Sequence, residues 1–470
     1  MNSTNQGERL ERGLGLLEAT SLNMIEMVGI GPFIVIPFVI HEMTGPMSLL
    51  AWVAGAVLAV FDGCVWAELG AAMPEAGGSY VFLREAYGPG RWGRLMSFLY
   101  IWQTLFQAPL VVASGALGFA EYSAYVTGKM GRAGAAAVAT GAGYERGVAA
   151  CVIALVVVLL YRRIGAIGKI SIVFWVVVIG TILWLIWGGA THFDWQRVMG
   201  GGAAAGMGAG GNGFGSLRFV FFAALGHATV QTVYSYLGYY NVCNLGGEMK
   251  NPERNIPRAI FISILGITAL YLAMQISIAS VVPWKEASVS KFIVSTFVQR
   301  IYGSGWAEVA TALILFTALG SIFSATLGYS RVPYAAALDG NFFAVFGRVH
   351  PTKKFPHISL LALGATAILF SALFSLFSVI RAILAMRCLI QFIGQAVGLV
   401  LLRRRGARLP FRMKLYPLPV IVAIAGWAAI FLSTGRKPIF ASLGAMAAGI
   451  LVYLGRSFFL RQWPFKEAVQ

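Results

Sequence analysis

Charged residues are scarce in this chain: 11% of 470 positions, against 58% hydrophobic. Apolar runs of about twenty residues, the length that crosses a bilayer core, recur from one end to the other, which excludes a large soluble protein. Cysteine is scarce as well. Cys64, Cys151, Cys243 and Cys388 all lie inside apolar runs, where they act as small hydrophobes and offer neither a disulfide framework nor a zinc pattern. The five histidines, His41, His192, His227, His350 and His357, are scattered, with no HExxH and no paired carboxylates on one helix face. That combination argues against an enzyme and leads us to expect neither metal nor cofactor. The N-terminal MNSTNQGERLERG has no short apolar region with a cleavage site, so no signal peptide is expected and the first span should insert and stay.

What is present reads as about twelve spans: 16–40, 46–72, 93–127, 146–163, 165–190, 217–243, 257–282, 305–335, 357–377, 379–402, 415–433 and 438–456. The net charge of +18 sits in particular connections rather than in a nucleic-acid-binding face. Arg162/Arg163, Lys250/Arg254/Arg258, Arg348/Lys353/Lys354 and the run Arg403, Arg404, Arg405, Arg408, Arg412, Lys414 all follow even-numbered spans. The positive-inside rule therefore predicts that those loops and both termini are cytoplasmic. The stretch 200–215, GGGAAAGMGAGGNGFG, reads as a connector on the outer side, and 74–92 and 283–303 as amphipathic segments along the surface or in a vestibule.

Two spans are interrupted. The first carries EMVGIGPF, with Glu26, Gly29, Gly31 and Pro32 at its middle; the sixth carries YSYLGYYN, with Gly238 among four tyrosines. Non-helical backbone at membrane depth must line a cavity or be buried in protein. Paired breaks at matching places in two halves point to a binding site between them. An unwound helix exposes N–H groups at one end and C=O groups at the other, which suits a carboxylate and an ammonium respectively. On this reading Gly29, Ile30 and Gly31 offer backbone to a zwitterion. Pro32 starts the outer half-helix without losing a needed donor, and Tyr236, Leu237 and Gly238 supply the facing carbonyls. Tyr234 and Tyr239 bracket the second break as outer gate and pocket wall, although an aromatic with a polar tip also packs well inside a bundle. An ionised Glu26 at mid-membrane is costly, and three readings stay open: paired, protonated or facing the substrate. Asp62, also within a span, has no partner legible in the sequence.

The blocks VGIGPF, WAELGAAMPEAGGSY, IGAIGK, YSYLGYYN with GGEMKNPERNIPRAI, and GSIFSATLGYSRVPYAAALDGNFFAVFGRVHP are spread from residue 15 to about 405. Together they resemble the amino acid–polyamine–organocation superfamily, and within it the L-type amino acid transporter branch. The resemblance implies an all-α polytopic membrane protein with a LeuT-type five-plus-five inverted repeat, broken helices 1 and 6, and two extra C-terminal helices. The boundaries expected are a tail 1–13, a first repeat 14–190, an outer loop 191–216, a second repeat 217–405, two helices within 406–460 and a tail 461–470. It also implies secondary transport of amino acids across the plasma membrane, sodium-independent and either proton-coupled or exchanging. The carboxylate would bind at Gly29 to Gly31, the amino group at the carbonyls around Tyr236, and the gate would lie at Tyr234. Pro32 departs from the common motif and resembles the plant polyamine branch, so a polyamine or cationic amino acid carrier is the alternative; a non-transporting sensor is another.

The resemblance further implies that Lys169 stands where sodium-coupled relatives bind their ion, tethering spans one and eight; its place near the start of span five equally permits snorkelling to headgroups. Glu68, Glu248 and Arg331 lie at cytoplasmic span ends, either as charge pairs of an inner gate or as solvated interfacial groups. No cysteine falls in an outer loop, so no obligate covalent partner subunit is expected; the partners are the small substrate, the bilayer and possible protons, without nucleic acid.

Overall fold

In hydrocarbon the backbone must satisfy itself within each segment, and the long apolar runs accordingly fold as helices. A computed structural model describes residues 10–43, 45–130, 142–199, 214–373 and 383–465. Helices of eight residues or more are numbered in chain order: α1 Leu16–Met27, α2 Gly31–Met43, α3 Ser48–Ala72, α4 Ser79–Tyr87, α5 Trp92–Met130, α6 Ala142–Leu160, α7 Ile164–Thr191 and α8 Phe214–Tyr236. They continue as α9 Pro252–Val281, α10 Ile293–Tyr302, α11 Ser304–Tyr329, α12 Arg331–Leu338, α13 His357–Leu373, α14 Ile383–Arg404, α15 Leu418–Ser433 and α16 Arg436–Phe459. Most of the glycine-rich connector, 200–213, lies outside the described residues.

The chain is a polytopic all-α membrane protein. Among the described residues eight helices are long and apolar enough to cross a membrane, or nine if α1 and α2 count as one bent span. The shorter apolar helices α13 and α15 occupy the ninth and eleventh expected spans. Lipid-facing surfaces are legible in the exposure pattern: Val173, Val176, Leu183 and Trp187 on α7 and Phe440, Leu451 and Phe459 on α16 all point outward. No strand occurs among the described residues, and two isolated bridges, Leu14 with Met249 and Ala76 with Leu245, join loops at the end of the bundle where the described chain begins.

At the centre, α1 is enclosed by α7, α9 and α11, while α2 packs against α8 and α3 runs alongside α8 and α9. Small residues permit these approaches. A Cβ on Gly55 would lie 2.9 Å from Thr232 Oγ1, and one on Gly189 2.3 Å from Ser277 Cβ. The segments expected at the surface do form short helices. In α4, Tyr80, Phe82 and Leu83 are buried; in α10, Ile293, Val294, Phe297 and Val298 are, so both are docked on the bundle by one apolar face.

Candidate functional site

The first break lies between α1 and α2, which meet at a 44° bend across residues 28–30. Gly31 opens α2 and Pro32 follows within its first turn, where a missing N–H costs nothing. The end of α1 that leads into it is held by two helices. Ser321 on α11 donates to the Glu26 carbonyl (3.1 Å), Ser324 to the Leu22 carbonyl (2.8 Å), and Tyr271 on α9 to the Met27 carbonyl (2.7 Å). A Cβ on Gly29 would stand 2.6 Å from Ser321 Oγ, so glycine is what allows α11 this close.

The second break covers residues 237–240. Gly238 sits at φ +124°, a conformation that side chains rarely adopt, and a Cβ there would meet Glu26 Cγ and Met27 N at 2.9 Å each. The two breaks therefore touch backbone to backbone. Asn23 clamps them, donating to the Tyr239 carbonyl (2.6 Å) and accepting from the Val242 N–H (3.0 Å). Beyond the second break the helix resumes for only one turn, Asn241–Asn244, before a 3-10 turn at Gly246–Glu248. The interruption expected at mid-span thus falls nearer the end of its span.

Between the breaks lies a cavity of ≈ 50 Å³, room on the scale of a few water molecules. Its walls include Glu26, Gly29, Ile30, Gly31, Tyr234 and Leu237, six of the nine residues expected at the substrate, together with Ser114 and Ser321. Tyr234 covers Gly31, its Cε1 3.4 Å from where a Cβ would be, and its hydroxyl meets Ser114 Oγ at 3.1 Å. Two of the other expected residues turn their rings elsewhere: Tyr236, expected to offer its carbonyl, and Tyr239, expected as a pocket wall. The ring of Tyr236 packs on Trp52 and Tyr271, with centroids at 6.2 and 5.4 Å. Tyr239 points away from the cavity and donates its hydroxyl to Asp62, which gives that buried carboxylate its partner. The positive φ of Gly238 redirects the chain that follows it, so that Tyr239 leaves the cavity side.

Lys169 faces away from the first span. Its neighbours Gly168 and Ser171 face α1, Ser171 Oγ lying 2.9 Å from Ser21 Oγ, and one residue of helical rotation puts Lys169 on the exposed face of α7. The buried tether between the first span and α11 expected of it is not formed.

The cation in this region is Arg387, which the sequence reading missed. It is 2% exposed, lines the cavity, and stands immediately before a seven-residue π-helical stretch, Cys388–Gly394, a device common at functional sites. It donates to the hydroxyls of Tyr240 and Tyr329, and the Gln107 amide oxygen, turned toward it, accepts from Nε (2.8 Å) and Nη2 (3.1 Å). The signal was available: an arginine inside an apolar run is expensive and marks a functional position.

Glu68, Glu248 and Arg331 are buried rather than solvated. Arg331 Nε and Nη2 reach the two oxygens of Glu248 at 2.9 and 2.8 Å. Glu68 pairs not with Arg331 but with Arg403, at 2.6 and 2.7 Å, and also accepts from the Met413 N–H (3.0 Å). A second cavity of ≈ 430 Å³ lies among Arg12, Glu75, Arg84, Tyr334 and Asp339, where Arg84 bridges Asp339 and Glu75.

Paired helix breaks around a cavity in a helical bundle define a membrane carrier site rather than a catalytic one. The sequence pattern of amino acid permeases matches residues 14–452, and the chain belongs to that family, a family of transporters and not of enzymes. It is 26% identical over 434 residues to the serine/threonine exchanger SteT of Bacillus subtilis (strain 168), covering 89% of this chain and 90% of that one. It is 24% identical over 466 residues to the branched-chain amino acid permease BcaP of the same organism, covering 96% and 94%. Cationic amino acid transporter 4 of Mus musculus is 26% identical over 421 residues, 85% of this chain but 61% of that protein's length.

Proposed function

We propose that this protein is a secondary transporter that carries amino acids through the plasma membrane by alternating access, with both termini in the cytoplasm. The observation that carries the reading is that two helix breaks, touching at Gly238 and Met27, border one cavity. The α-carboxylate would lie on the N–H groups that open α2, at Gly29 to Gly31, where the helix dipole favours negative charge. The amino group would lie toward the carbonyls of the second break, around Tyr236 and Leu237, as in transporters built on half-helices.

A cavity of ≈ 50 Å³ does not admit an amino acid, so binding requires one side to open. On one side Tyr234 lies over Gly31 and Ile30 packs onto Gly118 of α5; these contacts form the outer closure. On the other, the Glu248–Arg331 and Glu68–Arg403 pairs hold the inner closure and would break and re-form in each cycle. Twelve crossings in a five-plus-five repeat with two further helices complete this reading, and either proton coupling or exchange supplies the driving force.

Counterflow in proteoliposomes loaded with unlabelled amino acid tests it. Labelled amino acid should accumulate transiently only when the same class is inside. Binding without counterflow would make the protein a sensor, and no response to any amino acid would remove the assignment.

A further inference from the structure

The cavity holds one cation and one carboxylate, and they are not closed into an ion pair. The partners of Arg387 are all neutral, two tyrosine hydroxyls and an amide, although the guanidinium is almost fully removed from solvent. Glu26 faces the same cavity, and its Oε2 is buried with no hydrogen-bond partner among the described residues. The charged and titratable groups that face Glu26 are Arg387 from α14, Tyr240 from the second break and Tyr329 from α11, with Ser324 and Asn241 beside it.

These two groups differ in what they can do. A guanidinium does not give up its proton in a protein, whereas a carboxylate can take one. The empty site therefore has a charge of zero with Glu26 ionised or plus one with Glu26 protonated, and the backbone of an amino acid zwitterion changes neither value. A side-chain carboxylate makes the protonated site neutral. A neutral side chain fits the ionised site. A cationic side chain leaves at least one buried positive charge uncompensated, which is unfavourable away from bulk water. Arg387 is also prepared for an anion: it is held in place from three directions by neutral groups, which leave its charge uncompensated.

We propose that Arg387 is the receptor for a carboxylate on the substrate's side chain and that Glu26 takes up one proton from solution as that substrate binds. The substrate class is then acidic amino acids, of the aspartate and glutamate kind, each carried with a proton on Glu26. This rests on the amino acid reading of the cavity, and it counts against the cationic and polyamine alternative that Pro32 raised from sequence.

The test is binding to the purified protein in detergent, read by thermal shift and by competition, with aspartate, glutamate, glutamine, leucine and lysine at several pH values. Glutamate should bind about tenfold or more tighter than glutamine, a margin typical of a lost charge-assisted contact, and lysine should not bind. Glutamate affinity should rise as pH falls, with about one proton taken up per ligand, and Glu26→Gln should flatten that dependence. Arg387→Gln should lose the preference for glutamate while keeping glutamine affinity; Arg387→Lys, which retains the cation, guards against a folding defect and should retain part of the preference. Tight binding of leucine or lysine with none of either acid overturns the inference and leaves the amino acid reading standing. Equal loss of glutamate and glutamine in a folded Arg387→Gln protein also overturns it, because Arg387 would then serve the shared backbone or the structure. No binding of any amino acid removes the reading beneath it.

Discussion

Arg331 and Glu248 meet as a two-pronged ion pair, 2.9 and 2.8 Å, with 1% and 0% of their side chains exposed. The same glutamate's backbone carbonyl accepts from the N–H groups of Gly13 and Leu14, so the pair also anchors the segment that leads into α1. Removing one member of a buried pair leaves an uncompensated charge and costs about 3–5 kcal/mol. Glu248→Gln should therefore lower the thermal unfolding temperature sharply, and the charge-swapped double variant Glu248→Arg with Arg331→Glu should recover part of it. Strictly additive effects in that cycle would show that the two residues do not act as a pair.

Gly31→Leu tests the placement of the substrate. The position of its missing Cβ is 3.4 Å from the Tyr234 ring, so alanine is accommodated and a leucine fills the space between the first break and its cover. Affinity for the transported amino acid should fall by about tenfold or more while the unfolding temperature changes little, as expected when a ligand contact is blocked. Unchanged affinity would put the site elsewhere.

Gly238→Ala acts through backbone geometry. At φ +124°, with Glu26 Cγ and Met27 N each 2.9 Å from the new Cβ, the substitution is both strained and crowded. A cost of about 1–3 kcal/mol is the usual scale for an imposed backbone conformation of this kind. Thermal unfolding should reveal it, and a neutral result would mean that the two breaks are not in contact.

Lys169→Ala separates the resemblance from the geometry. A buried lysine bridging the first span and α11 would be indispensable, but Lys169 lies on the exposed face of α7. Substitutions at exposed positions are usually within about 0.5 kcal/mol, so uptake should stay within about twofold of the parent. Abolished uptake in a well-expressed protein would restore the tether.

The two breaks were legible because glycine and proline report backbone conformation directly, and conformation is local. Gly29 to Gly31, Glu26 and Tyr234 line the cavity between those breaks. What was not legible is rotation of one helix against another. Lys169 and Ser171 differ by two positions on α7, and only contact with α1 decides which of them faces inward. Tyr239 was lost from the pocket wall for a related reason, since the left-handed step at Gly238 sets the direction of every residue after it. Arg387 was the opposite case: the chemistry stood out in the sequence as a charge in an apolar run, yet its partners Tyr240, Tyr329 and Gln107 come from three distant segments.

Asp62 gives the last test, because its role became visible only in the fold. Its carboxylate accepts the Tyr239 hydroxyl, with Trp66 and Trp427 also facing it, and it is 1% exposed. Tyr239→Phe keeps the ring and deletes the donor, leaving a buried acceptor short of a partner at a cost of about 1–3 kcal/mol. Adding Asp62→Asn removes the charge that most needs that donor. The double variant should therefore unfold at a higher temperature than Tyr239→Phe alone. If the second substitution lowers stability further by its full single-variant effect, the hydroxyl and the carboxylate are not coupled. The second break would then be held by Asn23 and the packing of Tyr240 on Trp66, whose rings stack at 4.4 Å.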